Sequence, residues 1–262
     1  MSSSSMHVAK TGLTAQQTRM QVIANNLANV NTVGFKGDRV NFESLLYQIS
    51  SVAGDPTSEG TALTSPLALG TGVRVVNTEK NFSQGGMITT GNALDVAIDG
   101  DGFFEVLRPD GVMGYTRNGT FSRAATGAIT TASGYVLQPE ITIPPGAAQI
   151  SISQDGIVAA VLPGESAKTE LGQITIATFA NPRGLTPVGE NFYTATSASG
   201  EASVGAPVEG GRGKLVQSSL EASNVNVVQQ LVEMIETQRA YEVSSKSITA
   251  SDEMMRFISN NL

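Results

Sequence analysis

The feature that most constrains this chain is an apolar stripe of helical period at each of its two ends. The first stripe contains positions separated alternately by three and four residues: Met6, Ala9, Leu13, Gln16, Met20, Ile23, Leu27 and Val30. The second keeps the same alternation, with several polar members: Val227, Leu231, Met234, Gln238, Tyr241, Ser245, Ile248, Asp252, Met255, Ser259 and Leu262. This is the a/d spacing of a heptad seam, so it predicts a long helix at each end.

The boundaries of these helices follow from local signals. We expect the first to run from about Met6 to about Asn31, with residues 2–5 frayed before it. The last should open at Asn226, because Asn226 and Gln229 have the form of a capping box. A helix with one narrow stripe cannot bury that stripe alone, so the two helices should pair in a coiled-coil-like layer. The pattern leaves open whether this pair closes one domain or also packs against other copies.

The sequence between the helices has the composition of short antiparallel strands. Turn pairs such as Asp110-Gly111 and Asp155-Gly156 separate the apolar runs. The runs are 70–76, 95–98, 103–107, 134–137, 140–143, 149–152, 156–159 and 173–179. The predicted fold class is therefore α+β, with an antiparallel β-rich domain and an extended arm inserted between the paired terminal helices.

We divide the chain into segments on this basis. They are an N-terminal helix at 1–35, a connecting segment with the arm at 36–84, the β domain at 85–213, and a return segment with the C-terminal helix at 214–262. The arm, about 48–67, is rich in Ser, Gly, Thr and Pro, which fits either an ordered arm or a disordered insertion. Residues 41–47 fit a short helix or a strand, and the small polar stretch 198–213 reads as a linker.

Composition excludes several functions. The net charge of −7 and the lack of a basic run argue against nucleic acid as a partner. Cysteine is absent, which excludes thiolate metal sites and thiol catalysis, and His7 is the single histidine. No apolar run is long enough for membrane insertion, and the first ten residues lack the features of a cleaved signal peptide. We find no catalytic constellation and expect no cofactor, no metal and no enzymatic activity.

Three stretches of the sequence resemble bacterial flagellar rod and hook proteins. Residues 24–36, ANNLANVNTVGFK, are similar to the family's N-terminal signature. The runs SNVNV at 223–227 and MIETQRAYE at 234–242 are similar to its C-terminal signature. In the middle, DVAIDGDGFF at 95–104 and YTRNGTF at 115–121 resemble the shared β domain, so the resemblance covers essentially the whole chain. Within the family, the distal rod members resemble the chain most.

The resemblance implies a structural subunit that polymerises into a stiff tube carrying torque from motor to hook. It implies terminal helices in an inner layer, export through the flagellar type III apparatus without cleavage, and a location across the periplasm. The implied partners are other copies, proximal rod proteins, the hook protein and the surrounding rings. A proximal rod or hook protein is the alternative within the family. A secreted β-rich adhesin or wall-binding enzyme is the alternative from another class.

The assembly interface is expected on the helical stripes, at Met20, Ile23, Leu27, Val30, Leu231, Met234, Ile235, Tyr241, Ile248 and Met255. In the family, the arm that follows Tyr47 is associated with a straight rod rather than a bending hook. We therefore expect the arm to wedge between neighbouring subunits, whereas a passive linker is the alternative.

Overall fold

The computed structural model describes residues 2–51, 56–58, 61–62, 65–147, 149–162 and 167–260, and they form two compact units. Unit 1 takes its residues from 1–28, 38–79 and 226–262, and unit 2 from 29–37 and 80–225. The α+β class predicted from the sequence is confirmed, because helices occupy both ends and antiparallel strand pairs fill the region between them. The described helices contain no segment long and apolar enough to span a membrane.

Unit 1 combines the two long helices with paired strands. Its elements are α1 (Ser2–Ala28), β1 (Asp38–Ser44), β2 (Tyr47–Ser51), β3 (Pro56–Ser58), β4 (Thr61–Ala62), β5 (Leu67–Gly70), β6 (Val73–Lys80) and α2 (Val227–Asn260). The helices pack against one another, β1 pairs with β6, and β2 pairs antiparallel with β5. The ambiguous stretch 41–47 is thus strand rather than helix up to Ser44, and β2 begins at Tyr47.

The helix boundaries differ from the sequence prediction at the start of the chain. Residues 2–5, expected to be frayed, belong to α1, because the helix continues one turn before the apolar stripe begins. The helix ends at Ala28 instead of Asn31, where Thr32 turns the chain by donating its backbone N–H to the Asn29 carbonyl at 3.1 Å. At the other end Asn226 caps α2, and its Oδ1 accepts hydrogen bonds from the N–H groups of Val228 and Gln229.

Unit 2 is built from short strands. They are β7 (Met87–Thr89), β8 (Val96–Asp99), β9 (Phe104–Leu107), β10 (Met113–Thr116), β11 (Phe121–Arg123), β12 (Ile129–Thr131), β13 (Val136–Gln138), β14 (Gln149–Ile152), β15 (Ile157–Val161), β16 (Lys168–Gln173), β17 (Ile176–Thr178), β18 (Thr186–Gly189), β19 (Phe192–Thr194), β20 (Ser203–Gly205), β21 (Lys214–Gln217) and β22 (Ser219–Glu221). The largest sheet has the order β11-β12-β13-β9-β10-β19-β18. Phe104, Val106 and Leu137 on its central strands are fully buried and anchor the main core.

Two predictions for unit 2 are wrong in detail. Residues 140–143 make a single antiparallel bridge, Thr142 with Ala128, instead of a strand. Ile141 and Ile143 are buried in the core, but the flanking Pro139 and Pro144 supply no N–H that could extend the bridge into a ladder. The stretch 198–213, expected to be a linker, is folded into the unit: β20 lies within it and pairs antiparallel with β17.

Candidate assembly surface

The helix pair of unit 1 has an inner face on which the two helices meet. Ala15 and Ile23 of α1 and Thr237 of α2 are almost completely buried, with 3%, 2% and 0% exposure. Asn26 is buried among them, and its amide nitrogen donates to the Gln230 side chain at 3.1 Å and to the Asp38 carbonyl at 2.9 Å. Because a buried amide needs its partners in place, Asn26 fixes the register between the helices.

Six of the predicted interface residues are buried or half-buried in the single chain. Ile23 is buried, and the other five are half-buried: Met20, Leu27, Met234, Ile248 and Met255. Val30, expected on the helical stripe, instead lies half-buried in the turn after α1 and belongs to unit 2, because the helix ends at Ala28. Most of the predicted interface residues are thus at least partly covered within the single chain.

The remaining predicted residues on α2 lie elsewhere. Leu231, Ile235 and Tyr241 are 43%, 51% and 38% exposed. The structure adds Val228 and Val232, which are 70% and 51% exposed and were missed from the sequence. Four apolar residues at i, i+3, i+4 and i+7 share one side of a helix, so they form a contiguous surface. We call it the outer patch: Val228, Leu231, Val232 and Ile235.

A groove of about 620 Å³ lies along the helix pair. Its walls come from both helices: Gln17, Met20, Gln21 and Ala24 of α1, and Gln238, Tyr241 and Glu242 of α2. Met20 and Tyr241, both predicted interface residues, therefore face one concavity. Its lining is mainly apolar, with glutamine amides and the Glu242 carboxylate beside the apolar side chains, so it is suited to receive apolar side chains of a protein partner.

The strand pair β2–β5 is a second apolar surface of unit 1, which we call the ribbon. Tyr47 and Ile49 on β2 are 62% and 61% exposed, and Leu67 and Leu69 on β5 are 54% and 48% exposed. The adjoining Leu46 is 88% exposed. Of the predicted arm, residues 52–55, 59–60 and 63–64 lie outside the described part of the chain. Whether the arm extends from the molecule stays a prediction.

Unit 2 contains a buried ion cluster, which we call the clasp: Lys36, Arg117 and Glu221. The Glu221 carboxylate accepts a hydrogen bond from Lys36 Nζ at 2.6 Å and from the Gly85 N–H at 2.8 Å, and Arg117 Nη1 lies 3.4 Å from its other oxygen. Burial lowers the pKa of Lys36, while the Glu221 carboxylate opposes that shift. One carboxylate thus holds two buried cations.

The clasp accounts for residues in two of the signature stretches. Lys36 closes the N-terminal signature and Arg117 lies in YTRNGTF, while Glu221 stands two residues before the start of the C-terminal signature. Next to it, the Asn224 side chain accepts from the Gly37 N–H at 2.9 Å and donates to the Asn81 carbonyl at 2.7 Å. The segments where the chain enters and leaves unit 2 are therefore fastened to one another by buried polar contacts. Sequence reasoning found no clasp, because its members are far apart in the chain.

Known protein families match the chain along three stretches. The matching profiles are described as flagella basal body rod protein over residues 6–36, flagellar hook protein FlgE/F/G D1 domain over residues 97–160, and flagellar basal body rod FlgEFG protein C-terminal over residues 216–262. Among the described residues, no group of three or more His, Cys, Asp or Glu side chains could hold a metal ion.

Individual relatives match over nearly the full length. The flagellar basal-body rod protein FlgG of Buchnera aphidicola subsp. Schizaphis graminum is 49% identical, covering 97% of this chain and 98% of its own. Two proteins of Caulobacter vibrioides show that the chain is more similar to the FlgG branch of the family than to the FlgF branch. Its FlgG is 42% identical over 96% of both chains, whereas its FlgF is 33% identical over 94% of this chain and 93% of its own.

A helix pair with exposed apolar faces, joined in one chain to a well-packed β unit, fits the class of structural flagellar proteins that the profiles and relatives describe. The chain belongs to the flagellar basal-body rod proteins. Its similarity to the FlgG branch makes it a structural subunit of the distal rod in the flagellar basal body.

Proposed function

We propose that copies of this chain polymerise into the stiff tubular shaft of the distal rod through the apolar surfaces of unit 1. The observation that carries the proposal is the outer patch, where four neighbouring apolar side chains of α2 are exposed by 43% to 70%. A monomer gains nothing from such a row, and contiguous exposed apolar surface marks interaction sites. In the proposed polymer, the terminal helices extend the coiled-coil-like seam from one copy to the next.

The proposed contact joins two different surfaces. The outer patch of one copy inserts into the groove bordered by Met20 and Tyr241 of the next. Such a head-to-tail contact is heterologous: each copy still offers a free patch and a free groove after it has bound. Heterologous contacts that do not close a ring produce open helical filaments. The interface thus uses the predicted residues Leu231, Ile235 and Tyr241 between copies, and Ile23 within each copy.

The shaft proposed here crosses the periplasm and transmits torque from motor to hook. Its partners are proximal rod proteins at one end, the hook protein at the other and ring proteins around it, and the flagellar type III apparatus exports the subunit without cleavage. The relatives' names and the family signatures support these assignments. We also propose that the arm acts as a wedge, in which the ribbon lies between neighbouring copies and resists their axial sliding.

Substitutions in the outer patch test the proposal. Ile235→Asp should abolish polymers of the purified full-length chain in electron microscopy and light scattering, because the patch would have to bury an unpaired carboxylate. The free subunit should unfold as before, since Ile235 is exposed in it. Val112→Asp, at a 48% exposed valine of unit 2, is the matched control and should polymerise normally. Normal polymers from Ile235→Asp would overturn the patch as an assembly element.

A further inference from the structure

Unit 2 contains a cavity of about 330 Å³ that none of the proposed assembly contacts uses, and we call it the aromatic pocket. The residues that decide its chemistry are Phe82, Asp101, Phe103, Arg117, Phe179 and the turn 210–211, all of unit 2. The pocket is open at Gly211, because nothing lies within 4 Å of the place where a Cβ atom would stand there. A side chain from outside can therefore enter it.

The aromatic walls of the pocket are held in place before any ligand binds. Phe82 and Phe179 both meet Phe103 edge to face, with ring centroids 5.4 Å and 5.8 Å apart and ring planes at 81° and 68°. Phe103 is buried, while the other two rings are half-buried. Edge-to-face contacts favour one orientation of the rings, so Phe82 and Phe179 present ordered aromatic surface to the pocket.

The two charged residues of the pocket differ in how far a ligand can reach them. The Arg117 side chain is 3% exposed, and its Nη1 lies 3.4 Å from the Glu221 carboxylate. Asp101 is exposed, and within the described part of the chain its carboxylate takes part in no hydrogen bond or ion pair. The charge that an incoming group meets is therefore negative.

The buried cations of the clasp do not reverse this sign. Burial lowers the pKa of Arg117, and the Glu221 and Asp101 carboxylates oppose that shift. Arg117 and Lys36 are both cations, so two carboxylates balance two cations around the pocket. Glu221 is the buried carboxylate, which leaves Asp101 as the one that faces solvent.

These features fit a guanidinium group better than an anion or a metal ion. A guanidinium is planar, donates two parallel hydrogen bonds to a carboxylate and stacks on aromatic rings. Unit 2 already combines these groups, since the Arg117 guanidinium carbon lies 5.4 Å from the Phe103 ring centroid. An anion would meet the Asp101 carboxylate. A metal ion needs several ligands, and no group of described His, Cys, Asp or Glu side chains supplies them.

We infer that the aromatic pocket binds an arginine side chain of a different protein, whose guanidinium pairs with Asp101 and packs against Phe82 and Phe179. The net charge of −7 favours a basic partner. The choice of a different protein rests on the proposed self-assembly, in which unit 1 holds the copies together and unit 2 stays free. The specificity for arginine rests on the pocket alone.

Titrations of the free subunit with small probes test this specificity. The ¹⁵N-labelled full-length chain is kept below the concentration at which it polymerises, and its amide chemical shifts are followed by NMR. N-acetyl-arginine amide should give saturable shifts at residues 101–103, 178–180 and 210–211. N-acetyl-citrulline amide has nearly the same shape but no charge, and it should bind about fivefold more weakly. N-acetyl-lysine amide should also bind more weakly, because an ammonium cannot stack as a plane.

Three results of the titration would overturn the inference. The first is the absence of saturable shifts at the pocket. Equal binding of the citrulline probe would show that the positive charge is not recognised. Equal binding of the lysine probe would show that the guanidinium plane is not recognised, which contradicts an arginine site.

A matched pair of variants tests the role of Asp101. Asp101→Asn should bind the arginine probe about fivefold more weakly and keep the fold, because the side chain is exposed. Asp110→Asn is the control: it changes another exposed carboxylate of unit 2, which pairs with Arg108 outside the pocket. This control should bind the probe as the unchanged chain does. Equal binding by Asp101→Asn would refute the proposed ion pair.

Polymerisation of the same variant tests the source of the arginine. The Asp101→Asn chain should form normal polymers in electron microscopy. Loss of polymers would place the arginine on a second copy of this chain and overturn the choice of a different protein. If the unchanged chain forms no polymers, the proposed self-assembly fails, while the probe titration still decides whether the pocket binds arginine.

Discussion

The two units of this chain treat apolar side chains in opposite ways. Unit 2 buries them: Phe104, Ile143 and Ile176 have no exposed surface. Unit 1 leaves them outside, as Val228 on α2 and Leu46 beside the ribbon show with 70% and 88% exposure. Unit 2 therefore resembles a domain that is stable by itself, whereas unit 1 has the surface of a subunit whose core is completed by neighbours.

Polar contacts show the same division. The clasp of unit 2 is buried, with 0% side-chain exposure at both Lys36 and Glu221. The ion pair of Arg74 with Glu43 in unit 1 is open to water, with exposures of 62% and 55%. Exposed pairs contribute little to stability, whereas breaking a buried pair costs several kcal/mol. The free energy that holds each unit together therefore differs in origin, and separate substitutions can test each.

The largest effect is expected from Ile23→Asp, at the inner face of the helix pair. A carboxylate at this buried position should cost several kcal/mol and separate α1 from α2. Polymerisation should be lost, while the unfolding transition of unit 2 stays in place. Circular dichroism during a urea titration measures the helix loss. Tyrosine fluorescence in a Tyr47→Phe/Tyr241→Phe background, in which the remaining tyrosines lie in unit 2, follows unit 2. An equal shift in both transitions would show that the units do not fold separately.

The next effect is expected at the clasp. Glu221→Gln leaves two buried cations without their carboxylate, so we expect the free energy of unfolding of unit 2 to fall by about 3–5 kcal/mol. Glu43→Gln makes the same chemical change at the exposed pair of unit 1 and should cost less than about 1 kcal/mol. Urea unfolding of both variants measures the difference. Similar small losses would refute the structural role of the clasp.

Shortening the arm should change the shape of the polymer more than the stability of the subunit. Replacing residues 48–67 with Asn-Gly gives a short hairpin between Tyr47 and Ala68. Loop closure depends weakly on length, so a passive linker would tolerate this change. The wedge instead predicts polymers that still form but curve, because contacts against sliding are lost. Equal persistence lengths for polymers of the intact and the shortened protein would show that the arm is a passive loop.

The smallest effect concerns pH and a single buried carboxyl of unit 2. Burial raises the pKa of Glu105 on β9, and its hydrogen bond with Tyr115 opposes the shift. A carboxyl with a raised folded pKa gives its full stabilisation below its unfolded pKa and loses it as pH rises through the folded value. Glu105→Gln should therefore flatten the pH dependence of the free energy of unfolding of unit 2 as the pH rises above the unfolded pKa of a glutamate carboxyl. An unchanged slope in pH-dependent urea unfolding would contradict this.

Sequence periodicity predicted the helices well but described only one face of α2. The heptad rule follows a single stripe, so it selected Leu231 and Tyr241 and passed over Val228 and Val232. The missed residues belong to a second apolar row on the same helix, which a search for two stripes would find. Where each row packs depends on the partner helix, and this is settled by the buried Asn26 and its bond to Gln230.

Composition was a weaker guide in the β region. The small polar stretch 198–213 has the composition of a linker, yet local hydrogen bonds fold it. Ser199 donates to the Thr196 carbonyl at 2.9 Å, and Arg212 donates to the Ser203 hydroxyl at 3.0 Å. The clasp could not be predicted from the sequence for another reason. Its charged residues follow no common period, and only the folded chain brings them together.

Hydrogen–deuterium exchange of the free and polymerised chain tests the central claim most directly, because it reports each backbone amide separately. In the free subunit, the helices and the ribbon of unit 1 should exchange faster than the core of unit 2, because their exposed apolar side chains have no cover from a neighbour. Polymerisation should then protect the helices and the ribbon of unit 1 and leave unit 2 nearly unchanged. No further protection of the helices on polymerisation, or a gain of protection spread equally over unit 2, would contradict assembly through the apolar faces of unit 1.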